Sequence, residues 1–256
     1  MSQVFATTLL VIIAYMTIAY IIALIFKRND LADVFWGLGF IVICFSLYFR
    51  GYRTSYFILI FVLVWLWGTR LALHVLTRLI KKPEDYRYKK WREEWGKWFY
   101  VRTYLQVFIL QGFFMFLISF PIIISAISGT QKLQLIQYLG VYIWIIGFIF
   151  ETVGDIQLRQ FISNPKNKGK IMTEGLWKYS RHPNYFGEVT QWWGIFIICS
   201  TLPHWYFSIL GPITITYLLL KVSGIPLLEK KYEDNTQFKE YKNKTSAFFP
   251  WFPKKD

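Results

Sequence analysis

Residues 175–188 concentrate hydrogen-bond donors, acceptors and turn formers in a chain that is otherwise mostly apolar. Their sequence is GLWKYSRHPNYFGE, and we call this segment the polar motif. Pro183 disfavours helix at His182 and suits the first turn of a new helix. Asn184 and Glu188 would then project from a helix start, where free N–H groups attract anions. The motif therefore predicts a site for a phosphorylated cofactor.

The composition indicates which elements must position this motif. The chain has 256 residues, 55% of them hydrophobic and 21% aromatic, and its long apolar runs are interrupted by short charged clusters. This pattern is typical of an integral membrane protein. We expect an all-α, multi-pass fold and one membrane domain over residues 1–256, with a cytosolic cofactor motif over 155–192. Apolar runs of about 18 residues or more predict seven spans, near 4–26, 33–49, 56–80, 104–127, 135–157, 186–201 and 204–222.

The basic residues indicate how these spans are oriented. The net charge is +14, and 29 residues are Lys or Arg. Two of them follow the first span, eight lie in 81–102, six in 158–181 and seven in 230–256, whereas the opposite loops carry three. By the positive-inside rule, this alternation places the N-terminus outside and the C-terminus in the cytosol, with seven crossings. The basic excess is therefore a topology signal, and we expect no nucleic-acid partner.

Charges inside the spans mark candidate functional positions. Arg70 lies about ten residues, some 15 Å of helix, before the cytosolic end of span three. Such a charge is costly in a bilayer unless it faces a wet cavity or an anionic partner. His74 and Arg78 follow at i+4 and i+8 on nearly the same face, so the stripe would guide an anionic ligand inward. A structural ion pair is the alternative for Arg70, and a hydrogen-bonding packing role is the alternative for His74.

A second polar stripe closes span five. Glu151, Asp155 and Arg159 follow one another at i+4 steps on a face that emerges towards the cytosol. Two acids in the last turns of an apolar helix argue for a ligand, or for partner arginines such as Arg181. The turn-rich basic loop 162–170 that follows suits phosphate contact.

Two further segments each have two interpretations. Asp33 stands at the cytosolic start of span two, where a helix N-cap or first-turn carboxylate explains it as well as a catalytic role does. Residues 85–88 are Asp-Tyr-Arg-Tyr. They would either cover a bound nucleotide or form part of an interfacial segment against anionic headgroups.

Signatures of soluble nucleotide folds and of common metal sites are absent from the sequence. It contains no GxGxxG, Walker loop, HExxH or CxxC pattern. Cys44 and Cys199 fall inside predicted spans, and two isolated cysteines provide neither a metal-ligand cluster nor a disulfide framework. We therefore expect no metal site, and a cofactor site that is built between membrane helices.

Several of these segments together resemble the DUF1295 family of steroid 5α-reductase-like membrane enzymes. The polar motif carries most of the resemblance, through its Gly-Leu-Trp start and its Ser-Arg-His-Pro-Asn-Tyr-Phe-Gly-Glu end. The resemblance covers nearly the whole chain, and it is more specific for the superfamily than for one reaction. The other matching positions are Asp155, Gln157, Phe161, Asn164, Pro165 and Gly169, with the segments 33–37, 85–88 and 245–250.

The resemblance implies a seven-helix protein that holds NADPH in a membrane cavity open to the cytosol. Asn184 and Glu188 would bind the nicotinamide amide, while Asp155 and Arg159 would hold the ribose and phosphate portions. The other cofactor-binding positions that it implies are Arg70, Asn164, Tyr179, Arg181, His182, Tyr185 and Trp192.

The implied reaction is hydride addition to a conjugated carbon–carbon double bond of a hydrophobic lipid, sterol-like or polyprenyl, that enters from the bilayer. The implied catalytic residues are Asp33, Arg70 and Glu188. In the steroid reductases that the chain resembles, a third-helix tyrosine and a second-helix glutamate polarise the substrate carbonyl. Here Trp67 occupies the tyrosine position of the Tyr-x-x-Arg element that ends in Arg70, and Asp33 would stand in for the glutamate.

Methyl transfer is the competing prediction. Membrane methyltransferases of the isoprenylcysteine carboxyl methyltransferase type share the Arg-His-Pro-x-Tyr-x-Gly core, present here in residues 181–187, and they use S-adenosylmethionine. Glu188, the Asp155 stripe and the Gly-Leu-Trp lead-in favour the reductase. A non-catalytic lipid-binding or scaffolding protein would leave the intramembrane charges unexplained. We expect the protein in the plasma or inner membrane of a bacterium, or in the endoplasmic reticulum of a eukaryote.

Overall fold

The computed structural model describes residues 1–80, 83–84, 86–129 and 132–254. These residues form α-helices joined by 3₁₀ turns, two π-helical segments and loops, and none of them forms a strand. The all-α prediction is confirmed for them. In chain order the α-helices are α1 Ser2–Ile25, α2 Ala32–Phe49, α3 Ser55–Ile80, α4 Tyr86–Trp95, α5 Phe99–Thr103, α6 Leu110–Ile118, α7 Phe120–Ile127, α8 Leu135–Ser163, α9 Pro183–Cys199, α10 Leu210–Tyr217, α11 Ile225–Lys230 and α12 Thr236–Lys244.

Six helical segments of the described chain are long and apolar enough to cross a membrane. They are Ser2–Ile25, Asn29–Phe49, Ser55–Ile80, Lys90–Ile118, Leu135–Ser163 and Trp205–Lys230. The protein is therefore a multi-pass integral membrane protein. The remaining predicted span, 186–201, falls on α9, which has 17 residues. That length is at the short end of helices that cross a bilayer.

The fourth span differs from its predicted bounds of 104–127. Its helical path runs from Lys90 to Ile118, and it includes a π-helical segment at Tyr104–Ile109. α7 then begins separately at Phe120, with Pro121 in its first turn. Proline has no N–H and its ring blocks the preceding turn, so it starts a new helix here more readily than it continues one.

The described chain forms two compact units. The first contains residues from 1–133 and 199–210, and the second contains residues from 134–198 and 211–256. In the first unit, α2 and α3 approach at two glycines, since a Cβ on Gly68 would lie 2.6 Å from the carbonyl oxygen of Gly37. Small residues at such a crossing let membrane helices pack backbone against backbone. The single membrane domain over 1–256 stays a prediction.

In the second unit, α8 and α9 are joined by a seam of glycines at seven-residue spacing. A Cβ on Gly147 would lie 2.5 Å from the carbonyl oxygen of Gly187, and a Cβ on Gly194 would lie 2.7 Å from that of Gly140. Further along α8, a Cβ on Gly154 would lie 3.2 Å from the backbone nitrogen of Asn184. A seven-residue repeat keeps these positions on one helix face. The seam therefore brings the start of α9 against the last turns of α8.

We expect Gly147→Ala to lower the melting temperature of the detergent-purified protein. The added methyl group would lie 2.5 Å from the Gly187 oxygen and 2.7 Å from the Gln191 backbone nitrogen, and neither atom belongs to a flexible side chain. Overpacking of this kind costs about 1–3 kcal/mol, which corresponds to a shift of roughly 3–10 °C. The measurement is thermal unfolding followed by circular dichroism.

The matched control is Ile149→Val, a change of one methylene on α8 at a side chain that is 52% exposed. Its melting temperature should equal that of the unchanged protein. Equal melting temperatures for Gly147→Ala and the unchanged protein would show that α8 and α9 do not depend on this close approach.

Candidate functional site

The polar motif leads into α9 at the predicted residue. α9 begins at Pro183, and the carbonyl oxygen of His182 accepts a hydrogen bond from the N–H of Phe186 at 3.1 Å. The proline therefore sets the start of the helix, as its fixed backbone angle and missing N–H require. This part of the prediction is confirmed.

The first half of the motif is fastened to α8. The side-chain oxygen of Gln157 accepts a hydrogen bond from the N–H of Leu176 at 3.0 Å. The indole N–H of Trp177 donates to the carbonyl oxygen of Gly154 at 3.1 Å. These two bonds hold the chain beside α8 just before α9 begins, and so they fix where the first turn of α9 lies.

Asn184 and Asp155 form the pair closest to the start of α9. The amide nitrogen of Asn184 donates to a carboxylate oxygen of Asp155 at 3.1 Å, and Asp155 is only 7% exposed. The amide oxygen of Asn184 is buried and accepts no hydrogen bond. A buried acceptor left without a donor is unfavourable, so this oxygen is suited to a ligand N–H. The carboxamide N–H₂ of a nicotinamide is such a donor, and these residues therefore fit the predicted cofactor.

A second carboxylate–amide pair lies two turns further along α9 and one turn earlier on α8. The side-chain nitrogen of Gln191 donates to a carboxylate oxygen of Glu151 at 2.6 Å. Both side chains are almost completely buried, at 1% and 2% exposure. Glu188, on the turn of α9 between Asn184 and Gln191, is also buried. Charged and amide groups at this depth in a membrane helix pair need partners, and such groups mark functional sites.

The stripe on α8 becomes exposed towards its end. Glu151 and Asp155 are buried, whereas Arg159 is exposed. The emergence of the stripe towards the cytosol stays a prediction. Asn164 follows the last residue of α8, is exposed, and accepts a hydrogen bond from the N–H of Lys166 at 3.1 Å. The cofactor roles of Arg159 and Asn164 stay predictions.

Arg181 pairs with a carboxylate that the sequence interpretation did not single out. Its guanidinium donates to Glu229 on α11 at 2.8 Å, and the ring of His182 lies 3.1 Å from the same oxygen. Lys242 approaches the other oxygen of Glu229 at 3.6 Å. Arg181 is predicted as a partner for the acids of span five, whereas its ion pair in the structure is with Glu229. The only signal for Glu229 in the sequence is its position after the last apolar run.

Arg181 also ties the motif to the C-terminal tail, residues 245–254. Its guanidinium donates to the carbonyl oxygens of Lys242 and Thr245. The backbone N–H of Arg181 donates to the carbonyl oxygen of Ser246 at 2.9 Å. The Arg181 side chain is only 7% exposed, and its planar guanidinium thus donates to one carboxylate and two carbonyl oxygens. The arginine holds α11, α12 and the tail around the motif.

Further hydrogen bonds join the motif to the tail and to α12. The hydroxyl of Ser180 donates to the carbonyl oxygen of Phe248 at 2.8 Å. Tyr241 on α12 donates its hydroxyl to the carbonyl oxygen of Trp177. Burial raises the pKa of the Tyr241 hydroxyl well above its usual range, so it remains a donor at neutral pH. The tail and α12 thus contact the motif directly.

The remaining predicted cofactor residues of this unit are aromatic. Tyr185 stacks on the ring of His182, with 5.5 Å between centroids, and Trp192 is 1% exposed. Tyr179 is half-buried and packs edge-on against Phe252. Their contacts with a cofactor stay predictions.

Asp33, Trp67 and Arg70 belong to the first unit. Asp33 lies in the first turn of α2, where one of its oxygens is 3.9 Å from the guanidinium of Arg78 on α3. Arg70 is half-buried on α3, and Trp67 is 2% exposed with its ring edge-on to Phe40. The first-turn position of Asp33 is confirmed, and its catalytic role stays a prediction, as does that of Arg70.

The Asp-Tyr-Arg-Tyr segment is only partly described. Asp85 lies outside the described residues, and α4 begins at Tyr86. Tyr88 is buried and packs edge-on against Trp91, with 5.3 Å between ring centroids. The contact of this segment with a nucleotide therefore stays a prediction.

The family to which the chain belongs follows from the extent of its match. Residues 19–245 match the family described as "Protein of unknown function (DUF1295)". The chain belongs to the DUF1295 family. The resemblance stated from the motifs is thereby confirmed at the level of the family.

Parts of this DUF1295 protein are also similar to named enzymes. A very-long-chain enoyl-CoA reductase of Dictyostelium discoideum is 36% identical over 74 residues, which are 29% of this chain and 25% of that protein. The 3-oxo-5-alpha-steroid 4-dehydrogenase 1 of Bos taurus is 31% identical over 70 residues, 27% of each chain. A probable O-methyltransferase of Ustilaginoidea virens is 46% identical over 46 residues, 18% of this chain and 16% of that protein.

These similarities are distant and partial. The matched part of the DUF1295 protein spans 27% or less of the length of each of these three relatives. No solved structure matches the chain. The comparisons thus link this chain to membrane reductases and to a methyltransferase, without naming its reaction.

We expect Glu229→Gln to destabilise the DUF1295 protein strongly. The change would leave the buried guanidinium of Arg181 without its carboxylate, and breaking a buried ion pair costs about 3–5 kcal/mol. The double variant with Arg181→Gln should lose less than the sum of the two single changes, because each single change already removes the same pair. The measurement is thermal unfolding, together with the rate at which a protease cuts the tail.

Lys242→Gln is the matched control. Lys242 lies near the same carboxylate, but its side chain is 57% exposed, and such pairs contribute about 1 kcal/mol or less. If Lys242→Gln destabilised the protein as much as Glu229→Gln, the dominant role of the Arg181–Glu229 pair would be wrong.

Proposed function

We propose that the protein is an NADPH-dependent membrane reductase that transfers hydride to a conjugated carbon–carbon double bond of a hydrophobic lipid. The observation that carries the proposal is the hydrogen bond between half-buried Asn184 and buried Asp155 at the start of α9, with a buried amide oxygen on Asn184 that accepts no hydrogen bond. Two partial relatives support it, since their names specify a very-long-chain enoyl-CoA reductase and a 3-oxo-5-alpha-steroid 4-dehydrogenase.

The second unit supplies the cofactor side of the proposal. Asn184 and Glu188 hold the nicotinamide amide, and Asp155 keeps the amide nitrogen of Asn184 engaged so that its oxygen is directed to the ligand. Bound NADPH supplies the hydride. Arg159, together with Asp155, holds the ribose and phosphate groups. The further cofactor contacts in the proposal are Arg70, Asn164, Tyr179, Arg181, His182, Tyr185 and Trp192.

Among the further contacts, Arg181 and His182 differ from the others because their side chains already bind Glu229. They contribute to the cofactor site by fixing the backbone that presents Asn184 and Glu188. A cofactor that touched them directly would have to share donors with Glu229. The proposal therefore gives both residues a mainly positioning role.

The first unit supplies the substrate side of the proposal. Asp33 and Arg70 polarise the substrate carbonyl. Asp33 takes the role of the second-helix glutamate of the steroid reductases, and Arg70 is the arginine of their third-helix Tyr-x-x-Arg element. One carboxylate oxygen of Asp33 lies 3.9 Å from the guanidinium of Arg78. Trp67 is buried at the tyrosine position and can donate only through its indole N–H. A hydrophobic substrate enters from the bilayer, which suits a chain of this composition.

Seven crossings complete the proposal, with α9 as the additional span beside the six long apolar helices. The N-terminus is then outside and the C-terminus is in the cytosol. The support is the alternation of basic loops, in which eight Lys and Arg residues in 81–102 and six in 158–181 face three in the opposite loops. The close packing of α8 and α9 allows a helix as short as α9 to cross the bilayer, because α8 covers part of the surface of α9.

Methyl transfer from S-adenosylmethionine is the second candidate. The observation that favours it is the 46% identity to a probable O-methyltransferase over 46 residues. The Arg181–Gly187 core is common to both enzyme classes, and its contacts with Glu229 and the tail serve either one. The buried acceptor on Asn184 and the acid Asp155 beside it favour the reductase.

We expect NADPH to raise the melting temperature of the detergent-purified protein, because a ligand that binds only the folded state stabilises it. At a ligand concentration 100 times the Kd, the free energy of unfolding rises by about 2.7 kcal/mol, which corresponds to several degrees in melting temperature. NADH and S-adenosylmethionine are tested in parallel. Stabilisation by S-adenosylmethionine alone would replace the reductase with the methyltransferase, and a lack of response to all three would favour a non-catalytic membrane protein.

The same experiment on variants tests the assigned residues. Asp155→Ala and Asn184→Ala should each weaken NADPH binding by about tenfold, equivalent to about 1.4 kcal/mol, while the proteins still insert and fold. Gln160→Ala is the control, because Gln160 is an exposed polar residue on the same helix. Unchanged NADPH binding in both site variants would show that the cofactor lies elsewhere.

Reporter fusions test the topology separately. A reporter that is active only in the cytosol should be active at the C-terminus and inactive at the N-terminus, because the basic loops are retained on the cytosolic side. A second fusion, in the 128–134 loop, should report the outside. Activity of an outside-only reporter at the C-terminus would overturn the seven-span arrangement.

A further inference from the structure

The C-terminal tail displays three aromatic side chains that its own contacts do not cover. Phe249, Trp251 and Phe252 are 69%, 73% and 76% exposed. They lie outside the six candidate membrane spans, of which the last ends at Lys230. Large aromatic side chains that cluster on a surface mark a region that contacts a partner or a membrane.

The tail holds these aromatic residues in place through its backbone. The N–H of Trp251 donates to the carbonyl oxygen of Tyr179, and the N–H of Lys254 donates to that of Lys244, both at 2.9 Å. The ring of Phe249 also packs against Phe186 on α9, with 5.7 Å between centroids. The rings are therefore exposed on a segment whose backbone is hydrogen-bonded in place, and Trp251 is bonded to the polar motif itself.

A basic pocket lies beside the aromatic residues. It has a volume of about 440 Å³, and lysines 170, 178 and 244 line it together with the acid Glu240. Thr173 adds a hydroxyl group, and Pro253, which directly follows Phe252, closes one side. The described lining thus combines three ammonium groups with one carboxylate. This balance of charge favours an anionic occupant such as a phosphate ester.

Lysines next to exposed Trp and Phe are the combination found where proteins meet the headgroup region of a membrane. The aromatic rings favour the boundary between headgroups and acyl chains, and lysines bind lipid phosphates. The tail follows closely on the last candidate span, through α11 and α12. A membrane surface is therefore within reach of the tail, whereas an acidic protein partner would leave the three aromatic rings without an apolar cover of their own.

We propose that the tail and its lysine pocket form a binding site for an anionic phospholipid. The lipid phosphate lies in the pocket of Lys170, Lys178 and Lys244, and the rings of Phe249, Trp251 and Phe252 lie among the headgroups of the same leaflet. The tail also accepts and donates the hydrogen bonds that hold the polar motif. An anionic lipid bound there therefore stabilises the backbone that presents Asn184 and Glu188, whichever cofactor the protein uses.

Native mass spectrometry of the delipidated protein tests the site. Phosphatidylglycerol and phosphatidylcholine with the same acyl chains are titrated, and we expect the anionic lipid to bind at least tenfold more tightly. The triple variant Lys170→Gln, Lys178→Gln, Lys244→Gln should lose this preference, since each lysine near a lipid surface contributes roughly a fivefold effect. The matched control removes the same charge from exposed lysines outside the pocket lining, by Lys166→Gln, Lys168→Gln and Lys239→Gln.

A fluorescent label tests the position of the aromatic residues. Cys44 and Cys199 are buried, so a single cysteine placed by Phe252→Cys can be labelled selectively with bimane. In vesicles that contain phosphatidylglycerol, a quencher attached to lipid should reduce its emission more than aqueous iodide does. A label at Lys239→Cys, an exposed position of α12, should show the opposite order.

Three results would overturn the proposal. Equal affinity for the two lipids removes the anionic site, and equal losses in the two triple variants show that only total charge matters. If the pocket variant instead loses affinity for NADPH and retains phosphatidylglycerol, the lysines serve the phosphate of a soluble ligand. None of the lipid measurements involves hydride transfer, so their outcome is separate from that of the reductase proposal.

Discussion

The close approach of α8 and α9 is the constraint on which the site depends. In a bilayer, lipid tails are as apolar as leucine, so helices associate through tight packing and hydrogen bonds more than through the hydrophobic effect. Glycines at 147 and 187 bring the two backbones together. That distance lets Asn184 and Gln191 reach the carboxylates of α8. A wider separation would leave two acids and two amides buried without these bonds, at a considerable cost in free energy.

The polar motif has two sides with different partners. One side bonds α8 through Leu176, Trp177 and Asn184. The other is held by Glu229, α12 and the tail, with Arg181 at the centre. The residues that most resemble a binding signature therefore include two, Arg181 and His182, whose visible contacts are structural. Enzymes with different cofactors can share such a sequence core, because these contacts hold the arrangement rather than the cofactor.

The sequence and the structure differ where helix ends and partners depend on packing. Pro121 lies in the first turn of α7, although the apolar run across it predicted one span. α9 runs from Pro183 to Cys199, whereas the apolar run predicted a span over 186–201, because Pro183 starts the helix before the apolar run begins. The heptad glycines of α8 and α9 were visible in the sequence as a period of seven, but their meaning required knowing that these two helices are neighbours. Glu229 gave no signal beyond its position after an apolar run.

The sequence by itself determined the features that follow from local rules. Hydrocarbon thickness selects the long apolar helices, proline geometry sets the start of α9, and the i+4 spacing places Glu151, Asp155 and Arg159 on one stripe. Only the tertiary structure decided which groups meet. Asn184 finds Asp155 across 29 positions and Arg181 finds Glu229 across 48. Such pairs depend on how whole helices pack, and a charge or amide can be satisfied by many partners, so the sequence specifies the need for a partner without specifying the partner.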